Sequence, residues 1–233
     1  MGFIPLFFDV SARPCLVIGG GESAARRARA LIEAGASVTV MAQDPGAGIA
    51  PLAECGALRL VACAYTRGAL RDYVLVYVTV PDAEVAREAA SEARELGIPL
   101  NVEDRPDLCS FIAPSVVKRG DLQIAVSTGG ASPALAKLLR EELDLRFGPE
   151  YGFLAQILAA ARRRLRRSEP DAATRAQILD TLVRSELREH IRARNYHAAE
   201  QIVALHLGCG LSELGFDRTR SAAATTGDVY DPE

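Results

Sequence analysis

Along the first hundred residues, short β-branched runs alternate with longer stretches in which apolar residues recur every three or four positions. The runs at 15–18, 37–41, 58–63, 73–78 and 98–102 predict strands, and residues 22–34 and 82–96 predict helices between them. In the second helix Val85, Ala89, Ala93 and Leu96 share one face, while Glu84, Arg87, Glu88, Glu92 and Arg94 take the other. Such a helix packs one side onto a sheet. Gly97 stands where a glycine stops a helix, and Pro99 follows. Strand and helix alternating at this spacing predict an α/β domain, a parallel sheet with helices on both faces.

Outside that alternation the pattern changes. Residues 5–10 read as a short extra strand joined to the sheet by the turn Ser11-Ala12-Arg13-Pro14. Residues 122–127 predict a further strand leading through Thr128-Gly129-Gly130-Ala131 to a helix with Ser132 as N-cap and Pro133 as first residue, running to about Arg146. After Gly148-Pro149 no strand-like run occurs up to Leu207; Leu154, Ile157, Leu158 and Leu165, then Ile178, Leu179, Leu182 and Leu187, have helical spacing. This part is expected to be all-helical. Residues 208–233 are rich in Gly, Ser, Ala, Thr and Asp, a composition that predicts a largely disordered tail.

With 233 residues and 49% hydrophobic content, the chain can form one large or two small cores. Its 27 Lys and Arg against 30 Asp and Glu give a net charge of −3, which argues against a dedicated nucleic-acid binder. No apolar stretch approaches the 18 or so residues of a membrane span, and the N-terminus lacks a basic region followed by an apolar run, so a soluble, cytoplasmic protein is expected. The cysteines (Cys15, Cys55, Cys63, Cys109 and Cys209) contain no CxxC pair, which disfavours a disulfide framework or structural zinc.

The segment Cys15-Leu16-Val17-Ile18-Gly19-Gly20-Gly21-Glu22-Ser23-Ala24 sets a G-x-G-x-x-A pattern between a strand and a helix. That context is what a Rossmann-type dinucleotide site requires: Gly19 for the tight turn, Gly21 for close approach of a pyrophosphate, Ala24 for helix–strand contact. The helix N-terminus then presents its N–H groups to the anion. Asp44 lies about twenty residues past the loop, in reach of ribose hydroxyls, and no Arg follows the second strand to hold a 2′-phosphate, so NAD is favoured over NADP. Asp44 could equally open the Asp44-Pro45-Gly46 turn.

Two more segments carry candidate chemistry. Asn101-Val102-Glu103-Asp104-Arg105-Pro106 falls at the carboxyl end of the fifth strand, where open α/β sheets bind ligands. Asp104 is therefore a candidate general base beside a nicotinamide, or else the first residue of an Asp-x-Pro turn. Ser127-Thr128-Gly129-Gly130, ahead of a helix, combines hydroxyls, flexible backbone and a helix N-terminus; it suits a carboxylate or phosphate, and an ordinary capped turn explains it as well.

In order, Pro5-Leu6-Phe7, the glycine loop, Asn101-Val102-Glu103-Asp104, Ser110-Phe111-Ile112-Ala113-Pro114-Ser115 and Ala125-Val126-Ser127-Thr128-Gly129-Gly130-Ala131-Ser132-Pro133 resemble the sirohaem-synthase family, in its precorrin-2 dehydrogenase and sirohydrochlorin ferrochelatase module. The resemblance runs from about residue 3 to residue 146. It implies an NAD-dependent oxidation of precorrin-2 to sirohydrochlorin, with ferrous iron as the substrate of a second, chelatase step in some members. It implies Asp104 as the catalytic aspartate and Glu22, Ser23, Gln43 and Asp44 as NAD contacts. It also implies a homodimer, with a Rossmann domain over 1–113, a dimerisation region of strand plus helix over 114–148 and a helical domain over 149–207. The family's methyltransferase module does not fit in this length, so precorrin-2 would come from another protein.

Two departures bear on those expectations. Glu103 puts a second carboxylate beside Asp104 where the family commonly has an apolar residue, and if it pointed into the sheet it would need a partner. Asp44-Pro45-Gly46-Ala47-Gly48 after the second strand is also unusual. All three histidines, His190, His197 and His206, fall in the helical part, and no metal site is expected. The run Arg162-Arg163-Arg164-Leu165-Arg166-Arg167 either recruits the carboxylates of a tetrapyrrole or is a solvated helix end. A rival from another class is a dinucleotide-sensing regulatory module, which would need no base at Asp104.

Overall fold

The computed structural model describes residues 2–216 and forms two compact units, one of residues 2–113 with 129–131, the other of 114–128 and 132–216. The first holds a five-stranded parallel sheet. Its strands are β1 (Pro14–Ile18), β2 (Ser37–Met41), β3 (Arg59–Val61), β4 (Leu75–Val78) and β5 (Leu100–Val102), in the order β3-β2-β1-β4-β5. The order reverses between β1 and β4, and that switch point is where an open α/β sheet leaves a crevice at its carboxyl edge.

Strand alternation assigns the two cores. Cys15, Val17, Val38, Val40 and Leu75 face one side, against Ala24, Ala25, Ala28 and Leu31 of α1 (Glu22–Glu33). Leu16, Ile18, Val76 and Val78 face the other, against Ala86, Ala89, Ala90 and Ala93 of a second long helix. Alanine on the buried face of both helices lets their axes approach the sheet closely. A single turn of helix, α2 (Ala50–Glu54), starts with proline near its N-terminus and is too short to carry a periodic signal. The second long helix, α3 (Ala83–Leu96), begins at Asp82, whose carboxylate accepts from the N–H groups of Glu84 (2.8 Å) and Val85 (3.3 Å), and stops at Gly97 in left-handed backbone, φ 68°. A cap of this kind is worth about 1 kcal/mol.

Residues 5–10, expected as an extra strand, pair with no strand among the described residues. Only Val10 is buried there; the turn that follows closes by Arg13 N–H to Val10 C=O (2.9 Å), with Ala12 at φ 56°.

The second unit opens with an antiparallel hairpin, β6 (Ser115–Arg119) and β7 (Leu122–Val126), turning at Gly120 with φ 59°. The sequence reading anticipated β7 alone. Helix α4 (Pro133–Arg146) follows, and Arg119 ties its end to the hairpin by donating to Asp144 Oδ1 (2.7 Å), Asp144 C=O (3.0 Å) and Phe147 C=O (2.9 Å). Helices α5 (Glu150–Ser168), α6 (Ala172–Arg184), α7 (Leu187–Arg192) and α8 (Tyr196–Leu207) enclose a core of Leu154, Ile157, Leu182, Leu187, Ile191 and Val203. Residues 208–216 are the part of the expected tail that the structure describes. Leu211 is 1% exposed in that core, Leu214 and Phe216 pack against it, and Phe216 meets Phe153 edge-on, so a few apolar side chains spaced through a polar segment anchor it. The rest of the expected tail, 217–233, lies outside the described residues. Among the described residues no helix is long and apolar enough to cross a membrane.

Candidate dinucleotide and catalytic site

At the carboxyl edge of β1 the chain turns through Gly19 at φ 133°, a backbone angle that favours glycine. A Cβ there would stand 2.2 Å from Thr79 Oγ1. Thr79, just beyond β4, donates from its side chain to Ile18 C=O at 3.2 Å and so locks the two strands at the switch point. Sequence reasoning missed Thr79, since only the β1–β4 pairing brings it to the loop.

Gly20 and Gly46 are needed for a different reason. A Cβ on Gly20 would lie 2.3 Å from Asp44 C=O, and one on Gly46 would lie 2.8 Å from Gly20 C=O. Gly46 N–H donates to that same carbonyl at 2.9 Å. The Asp44-Pro45-Gly46 segment thus packs backbone against backbone on the glycine loop. Gln43 and Asp44 are exposed next to it, so the structure brings these two to the loop the fingerprint identified.

Gly21, by contrast, has nothing within 4 Å of a built Cβ, and it is the N-cap of α1 with no side-chain cap on the helix. The first-turn N–H groups of this 12-residue helix are left for an outside acceptor, where α3 spends its own on Asp82. Open space at Gly21 and an uncapped helix N-terminus fit a pyrophosphate. Glu22 is exposed and pairs with Arg29 (3.1 Å). Ser23 sits in the same turn, half-buried, and its hydroxyl donates to Glu103 Oε1.

That contact answers where Glu103 goes. Its carboxylate points to the first turn of α1, with the Arg26 guanidinium at 3.9 Å, and so has partners. Asp104, the next residue, is exposed on a tight turn with φ 56°, and its carboxylate has no hydrogen-bond or ion-pair partner among the described residues. The turn is held by its neighbours. Glu103 N–H donates to Val78 C=O (2.9 Å), Arg105 N–H to Val102 C=O (3.4 Å), and the Cys109 thiol bridges Val102 N–H (3.2 Å), Val102 C=O (3.3 Å) and Arg105 C=O (3.3 Å). Burial raises the Cys109 thiol pKa, which keeps it a neutral structural group.

The Ser127–Gly130 candidates lie at the start of α4. Thr128 Oγ1 accepts from Ser132 N–H (3.0 Å) and donates to Ser132 C=O (3.1 Å), while Ser132 Oγ accepts from Leu135 N–H (3.2 Å). Those hydroxyls serve the helix cap. Gly129 and Gly130 are exposed in left-handed backbone, φ 65° and 86°, with open space where a Cβ would be. In the arginine run, Leu165 is buried and all five arginines are exposed at the carboxyl end of α5, the geometry of a solvated helix end. The three histidines lie on α7 and α8, and no group of three or more His, Cys, Asp or Glu among the described residues could hold a metal.

This geometry can be set beside known proteins. A family described as "Putative NAD(P)-binding" matches residues 6–115, and one described as "Sirohaem biosynthesis protein central" matches residues 119–144. The siroheme synthase of Pseudomonas aeruginosa strain LESB58 is 36% identical over 228 residues, covering 98% of this chain and 49% of that protein. The chain belongs to the sirohaem-synthase family. A second member, the siroheme synthase of Methylobacillus flagellatus, is 42% identical over 162 residues, covering 70% of this chain and 35% of that protein. The chain spans about half the length or less of the curated sirohaem-synthase relatives it matches. Among solved structures, SirC, a precorrin-2 dehydrogenase, superposes with a TM-score of 0.69 at 25% identity, covering 86% of this chain and 98% of SirC. Family and fold expectations from the sequence hold.

Proposed function

We propose that this protein is an NAD-dependent precorrin-2 dehydrogenase that forms sirohydrochlorin in sirohaem biosynthesis. The observation that carries this is one sheet edge joining an uncapped, glycine-opened helix N-terminus to an exposed aspartate turn, in a member of the sirohaem-synthase family that matches SirC over nearly its whole length. The reaction removes a hydride and a proton from precorrin-2. Bound NAD would supply the two-electron acceptor for the hydride.

The chain's own residues do the rest. The N–H groups of Glu22 and Ser23 and the open face of Gly21 receive the pyrophosphate, an interaction of roughly 0.3–1 kcal/mol from the helix dipole alone. Gln43 and Asp44 contact the adenosine ribose. Asp104, with an unengaged carboxylate, accepts the proton as the hydride departs. The exposed backbone of Gly129 and Gly130 lets a tetrapyrrole carboxylate approach the segment of residues 127–130.

The dimer belongs to the same reading. Leu135, Leu138, Leu139 and Leu145 of α4 are exposed, and Leu145 is 89% so, which supports residues 114–148 as the dimerisation region and a second copy as partner. Insertion of ferrous iron into sirohydrochlorin, with the metal as substrate, is a second activity favoured by the name siroheme synthase carried by the relatives. The setting is the cytoplasm. Replacing Asp104 with Ala tests the assignment: turnover is lost while NAD affinity stays within about twofold. Unchanged turnover in D104A contradicts it.

A further inference from the structure

We infer that Glu103 is a positioning residue that holds the Asp104 turn against the first turn of α1. The inference rests on the assignment of Asp104 as the base. Three observations lead to it. Asp104 has a left-handed φ of 56°, a region that Asp tolerates better than most residues but that still costs energy and is held by its neighbours. Its own carboxylate is unanchored among the described residues, so the backbone alone fixes where it points. Glu103, one residue earlier, is the side chain that crosses from the end of β5 to α1, where Ser23 Oγ donates to it and Arg26 lies at 3.9 Å.

The clamp joins the turn with the base to the turn that receives the cofactor. An apolar residue at 103 would leave the backbone bond to Val78 and the Cys109 bridges but sever this side-chain link. Ser23 has a single hydroxyl proton, and in this structure it is donated in a hydrogen bond to Glu103. The phosphates are therefore received by backbone N–H groups, and Ser23 serves the aspartate turn.

The test compares wild type with E103A and E103Q by amide hydrogen exchange of residues 102–105 in the cofactor-free protein, by calorimetric NAD affinity, and by kcat and KM. Exchange in E103A is expected to quicken about tenfold and kcat to fall about tenfold, with NAD affinity and KM within about threefold. E103Q, which still accepts from Ser23, restores at least half of the wild-type kcat. Wild-type exchange and kcat in E103A overturn the inference. Should wild type not oxidise precorrin-2, the functional assignment fails, and the exchange comparison still decides the clamp.

Discussion

The glycine loop separates a packing role from a binding role at adjacent residues, and two alanine substitutions read them out independently. In G20A the new Cβ would stand 2.3 Å from a backbone oxygen, Asp44 C=O, and 3.2 Å from Ala42 Cβ. A backbone carbonyl cannot rotate away by itself as a side chain would, so the whole 44–46 segment has to shift by about an ångström to restore ordinary contact, and the 2.9 Å bond from Gly46 N–H to Gly20 C=O weakens. Overpacking costs about 1–3 kcal/mol and a lost hydrogen bond about 0.5–1.5 kcal/mol, so G20A is expected to lose roughly 2–4 kcal/mol of stability. In G21A the Cβ meets nothing within 4 Å and the backbone, φ −77°, suits any residue. Its stability should stay within about 0.5 kcal/mol of wild type. Its Cβ enters the space where the pyrophosphate approaches, and NAD affinity falls at least about tenfold, or ~1.4 kcal/mol. Urea denaturation and calorimetric titration measure the two quantities. Wild-type stability in G20A together with wild-type affinity in G21A would refute the account of the loop.

Three other outcomes are expected. Glu92 is buried, and although burial opposes its charge, bonds from Tyr65 O–H (2.5 Å), Gly68 N–H (2.9 Å) and Leu70 N–H (3.0 Å) hold its pKa below the usual carboxylate value. A lowered folded pKa gives stability that is full above the unfolded value of about 4.3 and is lost as pH falls through the folded one, so the deficit of E92Q, about 1–3 kcal/mol in neutral urea melts, should shrink in acid. L211A should cost about 2–5 kcal/mol, and truncation after Leu207 should loosen the helical unit in hydrogen exchange; a silent L211A would mean residues 208–216 do not pack. A thiol reagent should modify exposed Cys55 and Cys63 first, while Cys15, with its pKa pushed by burial up to about 11, and buried Cys209 react only on unfolding; mass spectrometry of the labelled protein checks the order.

What the sequence disclosed follows the range of the interactions involved. The glycine loop, the Asp82 and Gly97 limits of α3 and the Ser132 cap of α4 are local devices, and the structure places them where their residues announce them. β6 was hidden because Val116-Val117 is a two-residue apolar run flanked by Pro114 and the charged Lys118 and Arg119, and its strand character comes from pairing with β7. The packing of Leu211 was hidden by the polar composition around it. Of the candidate site, the glycine loop at Gly19 and Gly21 and the turn at Asp104 were legible from motif and position as features of the sheet edge. Thr79, the packing role of Gly20 and the Ser23–Glu103 link were not, since each joins segments that only the β1–β4–β5 order brings side by side.

The central claim is tested most directly by mixing the purified protein anaerobically with NAD and precorrin-2 generated in place, and following NADH together with the absorbance spectrum of the tetrapyrrole. The account predicts NADH formed in step with the sirohydrochlorin spectrum, with ferrous iron added afterwards reading out any metal insertion above the uncatalysed rate. A folded protein that binds NAD and forms no NADH contradicts it, and would leave a dinucleotide-sensing module in its place.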